Sequence, residues 1–330
     1  MEAMLVSPSA VAQRNRAEVI TLVQPSYSMF VIPLESMKIK NGDKEITHFN
    51  ASVGKSLDCY ISDKELAASL FSIGKIQFKE VVKGYELSSI RLKDPSGREL
   101  NVYINYFKIQ NKDIAIAAIS KNSDKQTTLT KILDAYTYTK EKLSKYCNKE
   151  TNLSKREIED IEDNLKSAIE RDNTKFVESN KKNETTKLVD STGLYITHHS
   201  GVCFTDYKGK NIKPDLDEKD QLVAPHLNAT CEFIISAFKD CELDSLELKN
   251  ESQNINLYFR RLRVNRVDKT NNINLIAMFK GNTENLNLGK KAGDIRFLLV
   301  DKYSRYLYSN EATPLNVSAD FKEKLINILN

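Results

Sequence analysis

Tryptophan is absent from this chain of 330 residues, and glycine is scarce, with 11 residues. Glycine-loop nucleotide folds are therefore disfavoured, because their loops need glycine wherever the backbone approaches a phosphate. Residues 53–56 (VGKS) are similar to the end of a phosphate-binding loop, but Phe49 stands where that loop needs its first glycine. We interpret 53–56 as an ordinary loop and expect no bound cofactor.

Long hydrophobic runs are also missing. The longest, such as 114–119 and 297–300, are far too short to cross a bilayer, and residues 1–15 contain no basic segment followed by an apolar core. The five cysteines are scattered and odd in number, which is typical of a reducing compartment. We expect a cytoplasmic protein without a signal peptide, peripheral at membranes only through its partners.

A large excess of either charge is lacking as well. Lysine and arginine number 49 against 45 acidic residues, a formal net charge of +4. This near balance gives no general reason to expect nucleic acid or an anionic membrane as the partner. A hydrophobic content of 40% beside 28% charged residues instead predicts an ordinary globular chain.

An internal repeat is the most informative feature that is present. Residues 86–93 (ELSSIRLK) match 242–249 (ELDSLELK) at five of eight positions. Each copy predicts three short strands joined by tight turns, the last of them apolar throughout and expected to be buried on both faces. The matching positions of the second and third strands are 101–104 with 256–259, and 114–119 with 273–278.

Helical patterns flank each strand triplet. Apolar residues at spacings of three and four predict a helix over 63–81 before the first triplet and over 217–238 before the second. After the triplets, 129–133 predicts a helix, whereas 294–308 fits either a helix or a strand hairpin. The repeat favours a helix there, and a last short helix follows Ser318.

A strand hairpin is predicted at the start of each copy. In the second copy it pairs 194–199 with 202–207. The first copy leaves two pairings open: the favoured one is 19–23 with 29–34, with 36–62 as an insertion, and the alternative is 46–49 with 57–61.

Between the copies lies a polar, charged stretch. Ser154 and Glu157 fit a capping box, and the apolar stripe behind them predicts a helix that lies on one domain or bridges the two. The predicted organisation is a first domain over 1–148, a charged helical linker over 149–189, and a second domain with a C-terminal helix over 190–330.

The order hairpin, helix, three antiparallel strands, helix predicts an α+β fold with a five-stranded antiparallel sheet and packed helices in each copy. This unit resembles the longin and roadblock superfamily, and residues 193–204 are similar to the opening hairpin of a longin domain. Profilin-like and PAS-like relatives stay open, because 36–62 and 294–308 depart from the pattern.

Members of the superfamily pair through sheet edges or helices and serve as platforms for small Ras-like GTPases in vesicle trafficking. The resemblance therefore implies a non-enzymatic scaffold that binds proteins, with a small GTPase as the first partner to consider and homo- or heterodimers as an expected state. The main alternative is a PAS-like or profilin-like small-molecule sensor.

No residue pattern indicates catalysis or a metal ion. His198 and His199 are adjacent on a predicted strand, so their side chains point to opposite faces and do not easily share a metal. Neither C-x-x-C nor H-x-x-x-H spacing occurs. Cys203 and Cys231 fall at predicted core positions, where free cysteine acts as a small apolar residue. We assign no catalytic, cofactor-binding or metal-binding residues.

One basic strand is the sharpest local candidate for binding. Residues 258–266 combine two aromatic side chains with four arginines, which suits an acidic face of a protein partner. RNA or DNA binding is a second alternative, and charge that blocks pairing of an exposed strand is the plainest interpretation. The candidate partner-binding residues are Tyr258, Arg260, Arg261, Arg263 and Arg266.

Overall fold

The structure is a computed structural model. The residues that it describes are 26–33, 51–53, 70–71, 73–75, 78–79, 82, 84–109, 112–121, 124–148, 154–170, 190–198, 203–208, 223–251, 254–266, 269–280, 288–307 and 319–329.

Strands and helices follow the same order in the two halves of the described chain. The first half contains β1 (Ser26–Pro33), β2 (Ala51–Val53), β3 (Glu86–Lys93), β4 (Glu99–Ile109), β5 (Lys112–Lys121), α1 (Lys125–Asn148) and α2 (Lys155–Glu170), with helical residues at 70–71, 73–75 and 78–79 before β3. The second half contains β6 (Asp190–His198), β7 (Cys203–Lys208), α3 (Val223–Ala237), β8 (Glu242–Lys249), β9 (Asn254–Arg266), β10 (Lys269–Lys280), α4 (Leu288–Leu307) and α5 (Ala319–Leu329).

The ten strands in the described part of the chain form one antiparallel sheet in the order β2-β1-β5-β4-β3-β8-β9-β10-β6-β7. From its outer edge inward, the first half runs β2-β1-β5-β4-β3 and the second half runs β7-β6-β10-β9-β8, so equivalent strands occupy equivalent places. The halves meet where β3 pairs with β8. The predicted mixed α and β class with an antiparallel sheet is confirmed, but the two five-stranded sheets predicted as separate domains are one continuous sheet. The predicted burial of the third strands is confirmed too, because 114–119 and 273–278 are buried throughout.

The pairing of β3 with β8 is reciprocal. Glu86 lies opposite Lys249, and Lys93 lies opposite Glu242. Because 86–93 and 242–249 are the repeated segments, the start of each copy's strand faces the end of the other. A glutamate therefore meets a lysine at both ends of the junction, a favourable cross-strand arrangement.

The two faces of the sheet are covered differently. On the face that we call the shared face, Leu87 and Ile90 of β3 and Leu246 and Leu248 of β8 belong to one buried core that spans both halves and includes α3. On the opposite face, the divided face, one core involves α1 and α2 and a separate core involves α4 and α5. Burial of these apolar clusters is the main force that holds the helices on the sheet.

The helices α2 and α5 occupy equivalent places. The Nζ atom of Lys131 in α1 donates a hydrogen bond to the carbonyl oxygen of Ile169 near the end of α2, at 2.6 Å. The Nζ atom of Lys291 in α4 donates likewise to Ile328 near the end of α5, at 2.8 Å. Each lysine thus satisfies a terminal carbonyl and complements the negative end of the helix dipole. The sequence left open whether α2 lies on one domain or bridges the two. In the structure it lies on the first half, against α1, β1 and β2.

The strand pairing predicted for the first hairpin differs from the structure. β1 overlaps the predicted strand 29–34, but its partner toward the sheet edge is β2, with Met29 opposite Val53, inside the range 36–62. On its other side β1 pairs with β5. β1 therefore lies between β2 and the buried strand β5. A pairing with β5, which is distant in sequence, is not visible in the local pattern of residues 19–34. The predicted partner 19–23 and the alternative segments 46–49 and 57–61 lie outside the described residues.

The alternative interpretation of 294–308 as a strand hairpin is wrong over the described residues, since α4 runs from Leu288 to Leu307. Ser154 begins α2 as predicted. Its backbone nitrogen donates to Glu157 at 2.8 Å, and the backbone nitrogen of Glu157 donates back to the Ser154 hydroxyl at 3.4 Å.

Candidate functional site

The central strands of the divided face present polar side chains. α1 packs over β4 and β5, and α4 packs over β9, so β3 and β8 lie between the two helical pairs. Alternate residues of a strand point to opposite faces, and here the apolar ones point to the shared face. We call the divided-face surface of β3 and β8, with the adjoining residues of β4 and β9, the polar floor. Its main residues are Ser89, Arg91, Asn105, Glu247, Lys249 and Asn256.

Two β-bulges shape this floor. The register of β3 against β8 shifts once between Leu87 and Ser89 and again between Arg91 and Leu92. The extra residues are Ser88 in β3 and Asp244 in β8, which the repeat places at equivalent positions. The Ser88 hydroxyl donates to the backbone oxygen of Glu247 at 3.0 Å, which satisfies a carbonyl that the bulge displaces.

Glu247 and Lys249, two of the charged floor residues, are each held by a neighbouring side chain. Both carboxylate oxygens of Glu247 accept hydrogen bonds from Nζ of Lys125, at 2.6 and 2.7 Å. Nζ of Lys249 donates to Asn105 at 2.6 Å, and burial lowers the pKa of Lys249. Beside them, burial raises the pKa of the Tyr103 hydroxyl to about 12, so it stays protonated at neutral pH.

Arg91 differs from these residues. Its side chain is exposed, and within the described part of the chain it makes no ion pair. In the repeat, the position of Arg91 in β3 is that of Glu247 in β8. The two sides of the junction therefore carry opposite charges at equivalent positions, and only the acidic one is neutralised by a neighbour. The floor thus exposes, near its centre, a cation that has no ion-pair partner among the described residues.

The predicted partner-binding residues do not form one surface. Tyr258 and Arg260 lie on the divided face, whereas Arg261 lies on the shared face, as strand alternation requires. The strand that carries them, β9, is paired with β8 and with β10. Arg263 and Arg266 lie further along β9, and their side chains are outside the described ones.

The arginines with described side chains are bound within the chain. Nη2 of Arg260 lies 2.7 Å from a carboxylate oxygen of Asp244, and its Nη1 donates to the backbone oxygen of Asp244 at 3.1 Å. Arg261 pairs with Glu232 of α3. Tyr258 packs edge to face against Phe279, with ring centroids 5.9 Å apart. These contacts stabilise the second half, and they leave the guanidinium groups less available to a partner.

A buried polar network beneath α3 was not predicted. Asn274 of β10 donates to Asn228 of α3 at 2.8 Å and to Glu232 at 2.9 Å, and Thr197 of β6 donates to Asn228 at 2.9 Å. The repeat places Ala115 at the position of Asn274, so the network belongs to the second half. Its members satisfy one another and fix how α3 sits on the sheet.

Two buried cysteines, Cys231 of α3 and Cys241 before β8, are free, protonated thiols. Burial raises the pKa of Cys231 far above its ordinary value and that of Cys241 to about 11. Since the thiolate is the nucleophile, neither is activated for attack. Among the described residues, no group of three His, Cys, Asp or Glu side chains is placed to hold a metal ion.

One further surface lies between α4 and α5. Phe297 is 76% exposed there. It borders an open groove of about 440 Å³ that Leu298 and Ile328 also line. None of the helices in the described part of the chain has the length and apolarity needed to cross a membrane.

Comparisons with protein-family models, with curated proteins and with solved structures find no match to this chain.

Proposed function

We propose that this protein is a non-enzymatic interaction platform in which two longin/roadblock-like halves are fused into one sheet, and that its partner is a small Ras-like GTPase. The observation that carries the proposal is the junction. Two halves with the same strand order meet through equivalent strands, with Glu86 opposite Lys249 and Lys93 opposite Glu242. Members of the resembled superfamily pair through sheet edges, so one chain here supplies both partners of such a pair.

The shape of the sheet suits a protein partner. Ten strands spaced by about 4.8 Å span roughly 40 Å, which is the scale of a protein interface. The continuous core on the shared face makes the two halves one support, and the polar floor of the divided face lies at its centre. Polar, partly exposed surfaces of this kind are typical of non-obligate protein contacts.

The experiment is affinity capture followed by titration. The tagged chain is incubated with lysate of its source cell, and bound proteins are identified by mass spectrometry. Any Ras-like GTPase found is then purified and titrated in its GDP-bound, GTP-analogue-bound and nucleotide-free forms. We expect direct binding whose affinity depends on the nucleotide state.

Two outcomes would contradict the proposal. Absence of any GTPase, together with a small molecule released when the purified chain is denatured, would favour the sensor function. Capture of RNA or DNA with an affinity that falls steeply with salt would favour nucleic-acid binding.

A further inference from the structure

We infer that the partner docks on the polar floor with an acidic group against Arg91, and that the opposite charges of Arg91 and Glu247 fix its orientation. This inference rests on the proposed function and adds the site and the chemistry of contact.

The charge of the floor favours an acidic partner surface. Arg91 is exposed and makes no ion pair with a described residue. Glu247, the acidic counterpart, is already held by Lys125, whose side chain stays 46% exposed. On the flanking helices, Lys140 of α1 and Arg296 of α4 are exposed as well. A partner that brings carboxylates to this region meets opposite charge at the centre and at the flanks.

Leu133 of α1 supplies an apolar contact at the edge of the floor. Lys131 and Lys142 of the same helix reach toward α2, through Ile169 and Asp160. Since successive residues of a helix are rotated by about 100°, Leu133 lies roughly 180° from both lysines and faces away from α2, toward the middle of the sheet. Leu133 is 50% exposed. An exposed apolar side chain on the helix that flanks the floor, together with Arg91, matches a partner surface that carries an acidic group and an apolar one.

The repeat explains why the charges matter for orientation. A symmetric junction would accept one partner in two orientations related by the two-fold relation between β3 and β8. Here the equivalent positions hold Arg91 and Glu247. The reversed orientation would place the partner's acidic group against Glu247, where like charges repel. Arg91 is therefore a specificity-determining residue of the platform.

The test compares charge reversals on and away from the floor. Arg91→Glu is expected to weaken binding of the captured GTPase at least tenfold, and Arg91→Ser to weaken it less, because serine removes the attraction without adding repulsion. The matched control is Arg156→Glu on α2. Arg156 is also exposed, and its helix packs against the distant strands β1 and β2. Arg156→Glu is expected to change affinity by less than about twofold. Thermal unfolding of each variant checks that the fold is retained.

Charge reversal in the partner completes the test. An Asp→Lys or Glu→Lys change at the contacting position of the GTPase is expected to restore binding to Arg91→Glu and to weaken binding to the unchanged chain. If the chain binds a GTPase but Arg91→Glu binds as tightly as Arg156→Glu, docking on the floor is overturned and the proposed function stands. If the unchanged chain binds no GTPase, both are overturned.

Discussion

Gly74, one of the helical residues 73–75, lies close against the sheet. A Cβ atom built on Gly74 would lie 2.9 Å from Cδ2 of Leu87 and 2.9 Å from the hydroxyl oxygen of Tyr106. Gly293 of α4 is a contrast, because a Cβ atom there meets nothing within 4 Å. The close approach at Gly74 brings the two layers together and has no signature in the apolar pattern around it.

These two glycines give a matched prediction. Gly74→Ala is expected to lower the free energy of unfolding by about 1–2 kcal/mol, because overpacking outweighs the gain in helix propensity. Gly293→Ala is expected to raise it by up to about 1 kcal/mol, since only the propensity changes. Urea denaturation measures both, and equal effects of the two substitutions would contradict this account.

Asp94 illustrates a residue whose local role the sequence does predict. Asp94 begins the first of the tight turns predicted between the strands of the first triplet. Ser96 and Arg98 both donate to Asp94 from their backbone nitrogens, at 2.9 and 3.0 Å. The Ser96 hydroxyl donates as well. This side-chain hydrogen bond, with the backbone ones, lowers the pKa of Asp94 to about 2. The ionised carboxylate therefore stabilises the fold.

Because the pKa of Asp94 is lowered in the folded state, the free energy of unfolding depends on pH. The stabilisation is fully present above the unfolded pKa of about 4 and is lost as pH falls from about 4 to about 2. We expect Asp94→Asn to be less stable than the unchanged chain at pH 7, with the difference vanishing near pH 2. Ser96→Ala should show a smaller loss over the same pH range. Denaturation at several pH values measures this, and a difference that does not vary with pH would contradict it.

At the scale of elements, the sequence predicts best where the signal is local. The capping box at Ser154 and Glu157 sets the start of α2, and the repeat predicts the strands of both triplets. Prediction from the sequence fails at β2, which has three residues, too few for alternation to be visible. It also fails for the arginines of β9, because their ionic partners, Asp244 and Glu232, come from other elements.

The cap of α2 can be tested by itself. Ser154→Ala is expected to lower the free energy of unfolding by about 1 kcal/mol, because it removes the acceptor for the backbone nitrogen of Glu157. Ser167→Ala is the control, an exposed position inside the same helix where the change is expected to cost nothing. Equal losses for the two variants in thermal unfolding would argue against a cap at Ser154.

At the scale of the whole molecule, the repeat implies the same strand order in the two halves but does not by itself say where they meet. A signal for the junction is nevertheless present. Residues 86–93 and 242–249 both begin with Glu and end with Lys, so only antiparallel pairing of one with the other brings opposite charges together at both ends. The polar floor is harder to predict, because a polar strand position looks the same whether it faces bulk solvent or a groove between helices.

The central claim is that β3 and β8 join the two halves into one sheet in the observed register. Oxidative cross-linking of Glu86→Cys with Lys249→Cys tests it most directly, because these residues are opposite each other and the Cα atoms of antiparallel partners lie within disulfide range. The control is Ser89→Cys with Lys249→Cys, which lies on the same face but out of register. We predict a disulfide in the first pair and little in the second, located by mass spectrometry of the peptides. Equal yields in the two pairs, or no cross-link in the folded first pair, would contradict the fused sheet.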